Sequence, residues 1–131
     1  MQNKGMFLRN IKDDNKAAPV GELRCRLDEV VIHRLRTGHV GLNQNLFRFG
    51  IVVSENCEYC QLPETIQHYL LECKQFQPER ELMETELNRI GVRALNLKII
   101  LGGEPIYIKV TLNIFYILLK YIRSTGKIAT L

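Results

Sequence analysis

Three of the four cysteines in this 131-residue chain fall in one stretch, CEYCQLPETIQHYLLEC, together with one of its three histidines. The order is Cys57-x2-Cys60-x7-His68-x4-Cys73. Two cysteines separated by two residues can point both sulfurs inward from one tight turn, which supplies half of a tetrahedral zinc shell. The other half must come from nearby chain, and His68 and Cys73 are the residues at hand. The run ETIQHYLLEC reads as helical, with Ile66, Leu70 and Leu71 available to a core. On a continuous α-helix, residues five apart end up about 140° from each other, so His68 and Cys73 could not share a face. The helix must therefore unwind or turn before Cys73 if imidazole and thiolate are to meet at one ion.

Two other readings compete with metal. A redox Cys57-x2-Cys60 pair needs a βαβ setting, which the flanking sequence lacks. Merely buried thiols would pack as small hydrophobes, but that explains neither their clustering nor the hydrophilic neighbours Glu58, Gln61 and Glu64. The spacing favours one Zn2+ held by Cys57, Cys60, His68 and Cys73. Such a shell leaves no position open for water, so the metal is expected to be structural and not catalytic. Three thiolates and one Zn2+ sum to a single negative charge, which turn amides and Lys74 or Arg80 could balance. Cys25 is expected to pack on an apolar-flanked helix. His33 and His39 are expected at the surface or at caps, with His39 a possible substitute for His68.

The remaining chain reads as mainly α, a small helical domain over residues 19–131 behind a loose segment, residues 1–18. Leu23, Leu27, Val30, Val31 and Leu35 have helical spacing, ending at Thr37-Gly38. Leu42, Leu46 and Phe49 fall on one side of a short helix closed by Gly50. Pro78 starts a helix that carries Leu82, Met83, Leu87 and Ile90 and stops at Gly91. LNLKIILGG is ambiguous between helix and strand. Residues 106–123 read as helix, ended near Ser124-Thr125-Gly126, and hold more large apolar residues than one face of a helix needs.

The formal net charge of +4 is carried by the first fifty residues, which have nine Lys/Arg against five Asp/Glu; the rest balance at nine and nine. That excess favours phosphate, although a solvated helix face is the commoner meaning of such a count. The N-terminal MQNKGMFLRNIKDDNK lacks the apolar run of an export signal, so an intracellular setting, nucleus or cytoplasm, with reduced thiols is expected. The most apolar stretch is interrupted by Lys109, Asn113 and Lys120, which argues against a membrane span.

Residues 34–80, RLRTGHVGLNQNLFRFGIVVSENCEYCQLPETIQHYLLECKQFQPER, resemble the zinc-binding region that follows the polymerase in jockey-like non-LTR retrotransposon reverse transcriptases. The likeness rests on Arg34, Leu35, Arg36, Gly38 and His39, then Cys57 and Cys60, then Glu64, Thr65 and His68, and Glu72 with Cys73. Phe76 and Arg80 match the aromatic and arginine that commonly follow, and a weaker similarity continues into YIRSTGKI, residues 121–128. The family usually has Gly after the second Cys and Pro after the last, where this chain has Gln61 and Lys74. A positive φ at Gln61 would cost about 1–2 kcal/mol.

The resemblance implies a detached C-terminal piece of such a protein that helps grip template RNA or target DNA. No Tyr-x-Asp-Asp motif is present, and Asp13, Asp14 and Asp28 are too few and too clustered for two-metal phosphoryl chemistry, so no enzymatic activity is expected. Arg34, Arg36, His39 and Arg48 are the expected phosphate contacts. Tyr59 is a candidate stacking face, as is Phe47, for which a core position is the first expectation. The alternative is a structural or protein-interaction module whose apolar last helix docks on a polymerase body or a second copy, or a decayed fragment without activity.

Overall fold

The computed structural model describes residues 20–103 and 107–131. The loose segment expected over 1–18 lies outside these, as do Pro105 and Ile106. Every regular element among the described residues is helical, and β-type pairing is confined to an isolated bridge between Asn56 and Pro63. A 3-10 turn, Val20–Glu22, precedes helix α1, Arg26–Thr37, and the short α2, Asn43–Arg48. The cysteine segment ends in a π-helical stretch, His68–Glu72, and a 3-10 turn, Lys74–Phe76. Helices α3, Gln77–Arg89, α4, Leu97–Ile100, and α5, Ile108–Thr125, follow.

Helix α5 is the axis of the core. Its Thr111, Ile114, Phe115, Leu118, Leu119, Tyr121 and Ile122 are buried, α3 lies along it, and α1 and α4 pack on it as well. Among the described residues much of this helix's apolar surface is thus covered within the chain, while Tyr107 and Ile108 at its start are exposed. No helix among the described residues is long and apolar enough to cross a membrane.

Helix α1 begins later than its periodicity suggests. Residues 20–22 form a separate turn, and Cys25 precedes the helix in an extended conformation, exposed and not packed. The buried stripe is Asp28, Val31, Ile32, Leu35 and Arg36, while Leu27 faces solvent. Asp28 accounts for this rotation, because its carboxylate pairs with Arg123 of α5 and draws that edge inward. Gly38, at φ 84°, ends the helix by donating its N–H to the Arg34 carbonyl. In α3, Pro78 occupies the first turn as expected, but Arg80, Met83 and Leu87 are buried and Leu82 is exposed.

The ambiguous LNLKIILGG resolves as helix because the Asn96 side chain accepts from the Ile99 N–H, a cap that starts α4. Gly126, at φ 80°, closes α5, and the chain then runs back to α1. There Arg34 Nη1 donates to the Leu131 carbonyl at 2.8 Å, and Gly41 passes so near the Thr130 carbonyl that a Cβ would collide with it.

Candidate metal centre

Residues 57–62 form a closed turn. The Gln61 N–H donates to the Cys57 carbonyl at 2.8 Å, and the Cys57 N–H donates to the Leu62 carbonyl at 2.7 Å. The geometry requires φ of 60° at Gln61, a left-handed conformation at a residue with a side chain; its side-chain amide donates to the Glu58 carbonyl at 2.7 Å. Glu64, one of the hydrophilic neighbours of the cysteines, is buried. Its carboxylate accepts from the Asn43 N–H at 2.8 Å and lies 3.7 Å from Lys127 Nζ, so it ties this segment to the start of α2 and to the C-terminal region.

The Thr65 hydroxyl accepts the His68 N–H at 3.0 Å, capping the helical turn that follows. That turn does not continue as an α-helix. The Cys73 N–H donates to the His68 carbonyl at 2.7 Å, an i→i+5 bond whose ring closes over one more residue than an α-helical bond does, which widens the turn. Residues five apart then stack on one side, and this meets the requirement that the helix unwind before Cys73. Tyr69 and Leu70 stay buried within the turn.

Cys57, Cys60, His68 and Cys73 are brought together: each offers one ligand atom, and all four atoms lie within 4.8 Å of one another. Cys73 Sγ is 3.7 Å from Cys57 Sγ and 3.8 Å from Cys60 Sγ, too far for a disulfide bond. Cys57, His68 and Cys73 are buried and Cys60 is half-buried. Neither ring nitrogen of His68 has a hydrogen-bond partner. A buried imidazole without any partner is costly, and a metal ion would satisfy one of its nitrogens.

Burial disfavours ionisation of Cys60, but hydrogen bonds from the Lys74 N–H and from the Cys73 and Cys57 thiols outweigh it, leaving the Cys60 pKa below its ordinary value. Cys73 is pushed up to about 12, mainly by burial. Lys74 serves through its backbone N–H, 3.4 Å from Cys60 Sγ, and not visibly through its ammonium. Arg80 folds back from α3, donating from Nε to the Leu70 carbonyl at 3.1 Å and from Nη2 to the Cys73 carbonyl at 2.6 Å. Tyr121 of α5 also reaches this segment, donating its hydroxyl to the Tyr69 carbonyl at 2.6 Å. No local pattern announces Tyr121, because its partner is fifty-two positions away.

The residues expected at a phosphate surface are divided by the fold. His39 and Arg48 are exposed and line one groove of about 810 Å3, whose walls include Leu42, Leu46, Phe49 and Ile66. Arg34 is exposed but commits Nη1 to the Leu131 carbonyl. Arg36, expected at the same surface, is instead buried on the inner edge of α1, its Nε and Nη2 lack partners, and burial lowers its pKa. Tyr59 is 64% exposed on the cysteine turn, outside the groove lining. Phe47 is exposed instead of joining the core, as are Phe49, Ile51 and Val53 after it. His33 and His39 are both at the surface, and His39 is not part of the Cys/His cluster. No family model, curated protein or solved structure matches this chain.

Proposed function

We propose that the chain is a non-catalytic zinc-binding module of the kind found in the C-terminal region of retrotransposon reverse transcriptases, acting inside the cell on template RNA or target DNA. The observation that carries the zinc reading is the spacing of the sulfurs. Tetrahedral zinc with bonds of about 2.3 Å to sulfur sets two thiolates about 3.8 Å apart, and the two pairs here stand at 3.7 and 3.8 Å. Three sulfurs and one imidazole complete the shell, so the ion's part is to fasten the turn at 57–62 to the π-helical stretch. Burial of three of the four ligands and the unpartnered nitrogens of His68 support the same reading.

The nucleic-acid half of the proposal is supported by His39 and Arg48 at one groove, Phe49 in its wall, and the exposed ring of Tyr59. Arg48 and Arg34 offer charge to phosphate, and exposed aromatic rings suit unpaired bases. A second reading, a protein-interaction module, is favoured by a different observation: Phe47, Phe49, Ile51 and Val53 are exposed in succession, and Phe49 is in the wall of the same groove.

Metal analysis of the purified chain tests the first half. One zinc per chain is expected, lost on chelation and in Cys60→Ser together with helical signal; full helicity without metal would return the cysteines to simple packing. For the second half, affinity for single-stranded and duplex oligonucleotides is measured against salt. A steep fall with salt supports nucleic-acid contact, and a flat response with dimers in solution supports the protein-interaction reading.

A further inference from the structure

The register of residues 68–73 is held from outside, by side chains of two other helices. We propose that Arg80 and Tyr121 are positioning residues of the metal centre, which keep Cys73 in the wide turn by taking carbonyl oxygens that a regular helix would occupy. The inference rests on the zinc reading above.

In an α-helix the carbonyls of Tyr69 and Leu70 would accept from the N–H groups of Cys73 and Lys74. Here both donors are diverted. The Cys73 N–H goes to the His68 carbonyl at 2.7 Å, and the Lys74 N–H points at Cys60 Sγ at 3.4 Å. Two carbonyls in a buried segment are thereby freed, and a buried acceptor without a donor is costly. The Tyr121 hydroxyl supplies one donor, to the Tyr69 carbonyl at 2.6 Å. Arg80 Nε supplies the other, to the Leu70 carbonyl at 3.1 Å, while its Nη2 holds the carbonyl of Cys73 itself at 2.6 Å.

Both side chains are themselves buried, so these bonds form in a water-poor setting where they are strong. Arg80 is placed by the sequence that follows the last cysteine: Phe76 packs edge-on against the Tyr69 ring at 5.8 Å, and α3 then turns the guanidinium back. Its positive charge also lies beside a centre that would carry one negative charge when loaded. Without these two donors, the favourable arrangement is an α-helix extended by one more bond, which swings Cys73 about 140° from His68 and dismantles the shell.

The experiment uses the full chain and three variants, Tyr121→Phe, Arg80→Lys and Arg80→Met. Zinc affinity is read by chelator competition, the ligand-field absorption of bound Co2+ reports the coordination shell, and far-UV circular dichroism reports folding. Tyr121→Phe and Arg80→Met are expected to bind zinc about 10–100-fold more weakly, with Co2+ bands that lose tetrahedral intensity. Arg80→Lys recovers part of the loss, since an ammonium reaches one carbonyl and not two. A role in bulk packing alone would lower thermal stability while leaving affinity and Co2+ spectrum unchanged, and that result overturns the proposal. Should Arg80→Met fail to fold, Tyr121→Phe, which removes one hydroxyl, decides. Wild-type chain that takes up neither Zn2+ nor Co2+ overturns the zinc reading and this inference with it; wild-type loading with unaltered variants overturns this inference alone.

Discussion

The thiol of Cys73 lies 3.7 Å from that of Cys57 and is buried, and burial raises its pKa to about 12. At neutral pH the metal-free protein therefore keeps the Cys73 proton, and an ion can bind only by displacing it. Apparent zinc affinity should rise about tenfold per pH unit from this residue alone. Because the folded-state pKa is raised, the metal-free form gains stability from protonated Cys73 at low pH and loses it as pH climbs past the ordinary thiol range towards 12. Loaded and chelated protein should thus diverge: melting temperature of the chelated form falls from pH 8 to 10, while that of the loaded form does not. Parallel curves would contradict the burial of this thiol.

Gln61 holds φ of 60° in the cysteine turn, a conformation that costs a side-chain-bearing residue about 1–2 kcal/mol. Gln61→Gly should stabilise the chain by about 1 kcal/mol, since the glycine relieves this cost but gives up the bond from Gln61 Nε2 to the Glu58 carbonyl. The effect should be visible in chemical denaturation with metal removed, because the turn is then held by its own hydrogen bonds alone. A variant less stable than wild type would mean that the side-chain bond outweighs the strain.

Local signals carried much of this fold. Gly38, Gly91 and Gly126, with φ of 84°, 90° and 80°, stand where helix ends were expected, since a left-handed stop is written in one residue. The break before Cys73 follows from rotation per residue and needs no knowledge of the rest of the chain. Failures occurred where a distant partner decides. Leu27 is exposed because Asp28 turns inward to Arg123, ninety-five positions away, and nothing near Asp28 signals that pairing. Arg36, expected as a phosphate contact, lies on the inner edge of α1 beneath the surface. The Tyr121 hydroxyl reaches the cysteine segment fifty-two positions away, and nothing around it in the sequence signals that contact.

Gly41 crosses the Thr130 carbonyl at a distance that admits no Cβ. Gly41→Ala should push residues 127–131 off α1, breaking the bond from Arg34 Nη1 to the Leu131 carbonyl, at a cost of about 1–3 kcal/mol. Gly21→Ala, where nothing stands within 4 Å, serves as the control and should leave stability within about 0.5 kcal/mol of wild type. Thermal melts of the two variants compare the sites directly, and equal melting temperatures would exclude the close approach.

Arg36 and Arg48, both expected at phosphate, occupy opposite environments, and their substitutions should separate stability from binding. Arg36 is buried with two guanidinium nitrogens unpartnered and a lowered pKa. Arg36→Met keeps the aliphatic stem and removes the desolvated charge, so stability should rise by about 1–3 kcal/mol. Arg48 stands exposed at the groove, and Arg48→Ala should leave stability within about 0.5 kcal/mol. In oligonucleotide binding the order reverses: Arg48→Ala should reduce the salt slope by about 1, and Arg36→Met should leave it unchanged. Measuring both quantities on both variants decides whether charge at the groove or charge along the α1 sequence governs contact with phosphate. An Arg36→Met variant that loses slope would put that guanidinium at the interface and require α1 to roll outward on binding.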